Sequence, residues 1–116
     1  MADLLRQDEL PTGFTYAPEF LRVVELGLTQ LEPWWIFDGD LLRRRAAGIR
    51  QRYPQRRLVP FARREDNDDV ACWDLDGSDV VVIHDMTEPG REQRARFADF
   101  NAWLRQAIED LIEHGG

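Results

Sequence analysis

The sequence predicts an α+β fold, a small antiparallel or mixed sheet with about three helices, in a single domain spanning residues 1–116. Three observations lead there. Apolar residues recur at helical spacing towards both ends of the chain, the middle switches to short runs rich in β-branched and aromatic residues, and Asp76-Gly77-Ser78-Asp79 supplies turn chemistry for a hairpin. With 43% hydrophobic and 32% charged residues the composition is that of a globular protein able to bury one core. No repeat and no Gly/Ser-rich linker divides it.

Residues 1–13 carry no clear pattern and are expected to be a flexible or loosely docked segment. Pro18 suits a first helical turn, where its missing N–H costs nothing, and Phe20, Val24, Leu28 and Leu31 follow at helical spacing, with Gly27 a candidate stop. Glu32-Pro33 breaks that helix. Trp34 to Phe37 is too short for another and reads as a strand or extended segment. Asp38 or Asp40 then caps a second helix on Leu42, Ala46, Ile49 and Tyr53, which ends at Pro54 because proline forces its predecessor out of the helical region. Leu58 to Ala62, Val70 to Leu75 and Val80 to Asp85 read as strands. The Val-Val-Val-Ile run in the last implies burial on both faces, and the turn at 76–79, with Gly77 available for positive φ, pairs the last two antiparallel. After a loop around Glu88-Pro89-Gly90, Phe97, Phe100, Leu104, Ala107, Ile108, Leu111 and Ile112 mark a closing amphipathic helix.

The net charge of −7 conceals an uneven distribution. All 15 basic residues are Arg, and nine of them lie between Arg43 and Arg64, a window without Asp or Glu. An acidic total disfavours nucleic acid and anionic membranes as general partners, while a local basic patch remains able to hold an anion. No apolar run approaches the roughly 18 residues of a membrane span and the start has no basic and apolar leader, so a cytoplasmic location is expected. Cys72 is the one cysteine, which rules out an internal disulfide, and with His84 and His114 it is too sparse for a zinc site. No metal and no cofactor is expected.

Glu65, Asp66, Asn67, Asp68 and Asp69 form the densest acidic segment, yet they lack the alternating spacing and central Gly of a calcium loop, as do Asp74, Asp76 and Asp79. The segment reads as a solvated turn or a partner-binding loop, since turns on a rigid sheet carry binding residues. His84 beside Asp85 is half of a catalytic arrangement, but neighbours in a strand face opposite ways, and no nucleophile motif accompanies them. No catalytic residue is assigned. Trp34 and Trp35 cannot share a strand face either, so one of them is expected to be exposed for a partner. Arg43, Arg44, Arg45, Arg50 and Arg52 lie off the apolar stripe of the second helix as a basic face. That face either meets phosphate or a carboxylate-rich surface, or pairs with the protein's own acids.

Five segments also carry a family likeness. Pro18-Glu19-Phe20-Leu21, Leu58-Val59-Pro60-Phe61-Ala62, the acidic turn into Val70-Ala71-Cys72-Trp73-Asp74-Leu75, and Phe97-Ala98-Asp99-Phe100 with Trp103-Leu104 resemble the SUKH superfamily, to which cell-wall assembly regulators of Smi/Knr type belong. The likeness runs from about Pro18 to Ile112 and is most specific in the strand-turn-strand segment. It implies an α+β domain without catalytic residues that works by binding another protein, in many bacterial members as an immunity protein neutralising a toxin domain, often a nuclease. The contact surface then expected is the turn Glu65 to Asp69, the tip Asp76 to Asp79 and the exposed member of the Trp34/Trp35 pair. A regulatory or scaffold role, or a nucleic-acid accessory using the Arg face, is the alternative.

Overall fold

A computed structural model describes residues 2–115. Alternation along the central strands builds the architecture: in Asp69–Asp74 and Asp79–His84 successive side chains enter two different cores. Ala71, Trp73, Val80 and Val82 join one, while Val70, Cys72, Val81 and Ile83 join the other, and all of these residues are buried. The expected burial of the Val-Val-Val-Ile run on both faces is therefore present, as are the α+β class and the antiparallel sheet.

Six strands lie side by side in chain order, β1 (Gln30–Leu31), β2 (Trp34–Ile36), β3 (Leu58–Arg64), β4 (Asp69–Asp74), β5 (Asp79–His84) and β6 (Gln93–Phe97), every pair antiparallel. Helices α1 (Pro18–Glu25) and α3 (Phe100–Gly115) cover one face through Phe20, Val23, Phe100, Trp103 and Ala107. Helix α2 (Gly39–Arg52) covers the other through Ile49, joined by Tyr53 just beyond its end. A β-bulge between Pro60 and Ala62 sets Phe61 into the α1/α3 core, 4.5 Å from Trp73 and 4.8 Å from Trp103 between ring centroids.

Several boundaries differ from the sequence expectation. Helix α1 ends at Glu25, as the candidate stop at Gly27 allows and short of the apolar spacing that continues to Leu31, because Gly27 adopts φ +74° and the Gly27 and Leu28 N–H groups turn back to the Val24 and Val23 carbonyls. These two bonds satisfy carbonyls that the helix end would leave unpaired, as in a Schellman cap. Leu31 accordingly belongs to β1, a strand whose two residues are too few for any periodicity to register. Asp38 is the residue before α2, but its carboxylate accepts the Asp3 N–H (2.9 Å) and makes no capping bond to the helix. Asp99 does cap α3, accepting the Ala102 N–H at 2.9 Å. Ser78 (φ 56°), not Gly77, takes the positive φ in the β4–β5 turn.

Phe97 lies in β6 and not in the final helix. The sequence hides β6 because Arg94 and Arg96 have no preference for strands, and the spacing of Phe97 from Phe100 mimics a helical period. Of the segment expected to be flexible or loosely docked, residues 3–9 are docked. Leu5 is buried beside Phe37, Leu42 and Ala46, the Gly39 N–H donates to the Asp3 carbonyl, and Arg43 reaches back to Glu9 (2.8 Å) and Asp3 (3.0 Å). Hydrogen bonds from Arg43 and from the Arg6 N–H hold the Glu9 carboxyl down to a pKa of about 2.

Candidate functional site

In a sheet that runs in chain order, consecutive turns alternate between its two ends. The β3–β4 turn holding Glu65, Asp66, Asn67 and Asp68 therefore lies at one end, and the β4–β5 tip holding Asp76 at the other, separated by the six residues of β4. At about 3.3 Å per residue this is on the order of 20 Å. The single surface expected from both loops together is thus two surfaces, and each must be considered with its own neighbours.

At the first end the chain concentrates exposed acid. β2 pairs with β3 so that Trp34 faces Arg64, and the Glu65 N–H donates to the Pro33 carbonyl, which brings the β1–β2 turn against the β3–β4 turn. Glu32, Glu65 and His114 consequently meet from three separate elements, with one ligand atom of each lying within 4.8 Å of the others. All three are exposed, as are Asp66, Asn67 and Asp68. Sequence reasoning missed Glu32 and His114 as site residues. No local signal marks them, since only strand pairing and the end of α3 deliver them to this place.

Of the two tryptophans, Trp34 is the buried one: its indole N–H donates to Asp110 at 3.0 Å and its ring stacks edge-on against Trp103. Trp35 is half-buried and donates to Glu65 Oε2 at 2.8 Å, so the available tryptophan stands at the side of the acidic end. Asp66 is bound by two nitrogens of Arg64 at 2.9 and 3.0 Å, and this guanidinium holds its carboxyl below the usual range. Asp69, expected to be part of the exposed cluster, belongs to the fold. It begins β4, contacts His84 Nδ1 at 2.9 Å and lies 3.6 Å from Arg94. Asn67 is also engaged locally, its side-chain oxygen accepting the Asp69 N–H at 2.8 Å.

Glu32, Glu65 and His114 are donors suited to a divalent cation, but Glu65 already accepts a hydrogen bond from Trp35 and all three are exposed. Their arrangement is foremost a concentration of negative charge on a firm scaffold.

The second end is largely self-neutralised. Asp76 pairs with Arg57 (2.9 Å), which lowers its carboxyl pKa, and Asp79 pairs with Arg96. Asp74 is buried, with Arg56 at 3.2 Å, while its other oxygen accepts the Asp76 N–H.

The basic face resolves in favour of internal pairing for three of its five residues. Arg43 is held by Asp3 and Glu9, whereas Arg45 (3.1 Å) and Arg52 (2.6 Å) converge on Asp85. Arg44 and Arg50 are exposed and make no ion pair among the described residues. Asp85 has its side chain wholly out of solvent; burial pushes its pKa up, but Arg52, the Met86 N–H and Arg45 together outweigh this and leave it lowered. His84 and Asp85 bind different partners, as strand alternation predicted. Cys72 is fully buried and burial raises its thiol pKa, which keeps it protonated.

No helix is long and apolar enough to cross a membrane among the described residues. Comparison of the chain with protein-family models, with curated proteins and with solved structures finds no match.

Proposed function

We propose that this chain is a non-enzymatic protein-binding module, an immunity-type protein that neutralises a cognate bacterial toxin through the acidic end of its sheet. The observation that carries the proposal is the convergence of Glu32, Glu65, Asp66 and Asp68 from two adjoining turns, all exposed, with Trp35 half-exposed beside them. A rigid acidic surface with an amphipathic aromatic at its edge suits a basic protein such as a nuclease. Opposite charge speeds encounter and suppresses wrong partners, and a tryptophan supplies an anchor of large area. The likeness to the SUKH superfamily supports the same class of function. The alternative of a nucleic-acid accessory loses support because Arg43, Arg45 and Arg52, which would have to meet phosphate, already meet carboxylates.

Affinity purification from the native host with mass spectrometry tests the proposal. It is run with the natural chain and with a Glu65→Lys, Asp66→Lys, Asp68→Lys variant. The expected result is a secreted-toxin domain recovered by the first and lost by the second. Recovery of a housekeeping complex with no toxin would overturn the immunity reading, and retention of the toxin by the variant would move the interface elsewhere.

A further inference from the structure

Among the arginines that the fold takes partly out of solvent, Arg43, Arg45, Arg52, Arg56 and Arg64 are each held by a carboxylate. Arg63 is half-buried too, yet no acid among the described residues pairs with it, and its Nε, shut off from solvent, has no acceptor among them. A buried donor without an acceptor costs stability, so a chain that keeps one has a reason for it outside its own fold.

Strand register fixes the neighbours of this guanidinium. Arg63 stands directly across from Trp35 in β2 and from Val70 in β4, and Val70 belongs to the core under α2. Residues so paired have Cβ atoms about 5 Å apart, which makes the Trp35 and Arg63 side chains neighbours on the α2 side of the sheet. Trp35 in turn donates to Glu65, two residues beyond Arg63, so this pair adjoins the acidic end. Trp and Arg are the residue types that most often anchor a protein interface.

Charge selects what Arg63 can hold. A guanidinium offers a planar fork of N–H donors that matches a carboxylate or a phosphate. Glu65, Asp66 and Asp68 stand exposed at the adjoining turn, and their repulsion grows with the charge of the incoming group. A doubly charged phosphate is therefore opposed more than a singly charged carboxylate. A carboxylate fixed among Lys or Arg on a partner's surface brings its own compensation, because those cations meet the acidic turn.

We infer that Arg63 is the anchor for a carboxylate of the bound partner, an Asp or Glu side chain set in an otherwise basic surface, with the Trp35 ring beside it. The inference rests on the reading of the acidic end as a protein-binding surface, and adds the acceptor that the partner presents there.

The test is an NMR titration of the ¹⁵N-labelled full chain with acetyl-Lys-Lys-Glu-Lys-Lys-amide and with its Gln counterpart. By net charge alone the Gln peptide should bind an acidic surface more tightly. The expected result is the reverse, a preference of about threefold or more for the Glu peptide, with movement of the Arg63 Nε–H and Trp35 Nε1–H resonances. Arg63→Met, which keeps an apolar stem, is expected to abolish the preference while leaving the thermal midpoint unchanged or higher, since it removes an unpaired group. Arg63→Lys, a point charge without the fork, is expected to restore only part of the preference. The Lys flanks report on the acidic end and the Glu-over-Gln preference reports on Arg63, so the two readings fail separately. Tighter or equal binding of the Gln peptide, a phosphoserine counterpart that outbinds the Glu peptide, or a fall in the thermal midpoint of Arg63→Met would each overturn the inference.

Discussion

The two faces of the sheet are held to their helices by different forces. On the α1/α3 side Phe20, Phe61, Trp73, Phe100 and Trp103 form a continuous aromatic cluster, with ring centroids 4.5 to 6.3 Å apart. On the α2 side a small aliphatic core of Ile49, Val70, Cys72, Val81 and Ile83 is bordered by buried carboxylates, Asp85 held by Arg45 and Arg52, and Asp74 and Glu92 held by Arg56. One α2 helix is too narrow to cover a face that two helices cover opposite. Guanidinium groups, which bring their own apolar stems, close the remainder. The contrast teaches that the first face depends on volume and the second on ionisation.

The largest expected effect lies on the aromatic face. Trp103→Ala should cost about 3–5 kcal/mol, seen as a drop in the urea midpoint, because the side chain is fully buried and its neighbours Trp34, Phe61 and Phe100 cannot collapse into the space. That loss should be nearly independent of pH between 4 and 8, since no carboxylate is involved.

Asp85→Asn should cost about 3 kcal/mol at neutral pH, the lower end for a broken buried pair because Arg45 and Arg52 keep some access to water. Here the pH dependence is diagnostic. A carboxyl whose folded pKa lies below its unfolded value, 3.8 for Asp, contributes its full stability above that value and gives it up as the pH falls through the folded value. The gap between natural chain and variant should therefore be wide at pH 7 and close below pH 4. A gap that did not narrow at all as the pH falls below 3.8 would mean Asp85 acts by shape and not by charge. Glu92, also lowered because Arg56 and backbone N–H groups outweigh its burial, should add to the same acid transition.

Smaller again is Tyr53→Phe, which removes a hydroxyl that donates to the Thr87 carbonyl (2.9 Å) and accepts the Thr87 N–H (3.1 Å). It should cost about 1 kcal/mol and speed hydrogen exchange at Thr87 before it alters the rest of the α2 face. Smallest is the Glu65→Lys, Asp66→Lys, Asp68→Lys variant. Exposed charges contribute little, so its thermal transition should shift by no more than about 0.5 kcal/mol while its partner binding falls. A large loss of stability would place that acidic turn with Asp69, inside the fold.

Much of this was legible in the chain. The α+β class, the pairing of β4 with β5, the end of α2 before Pro54 and the burial of Val80 to Ile83 all follow from backbone geometry acting over a few residues. Gly27 as a helix stop was visible for the same reason. The opposed orientations of Trp34 and Trp35, and of His84 and Asp85, needed nothing beyond strand alternation.

What the tertiary structure alone decided concerns partners far apart in sequence. Which tryptophan is buried depended on where α3 lays Asp110 and Trp103, and β6 became a strand because β5 had a free edge to pair. The docking of the first residues depended on Leu5 finding Phe37 and Leu42. Arg45 and Arg52 lie 40 and 33 residues from Asp85, and Glu32 lies 33 residues from Glu65. Attraction between charges falls with distance and is screened by water, so a run of arginine in sequence is silent about which acid each will meet until the chain has brought them within a few ångströms. Local periodicity is written in the backbone; the pairing of charges, and with it which acids remain exposed, is written in the topology.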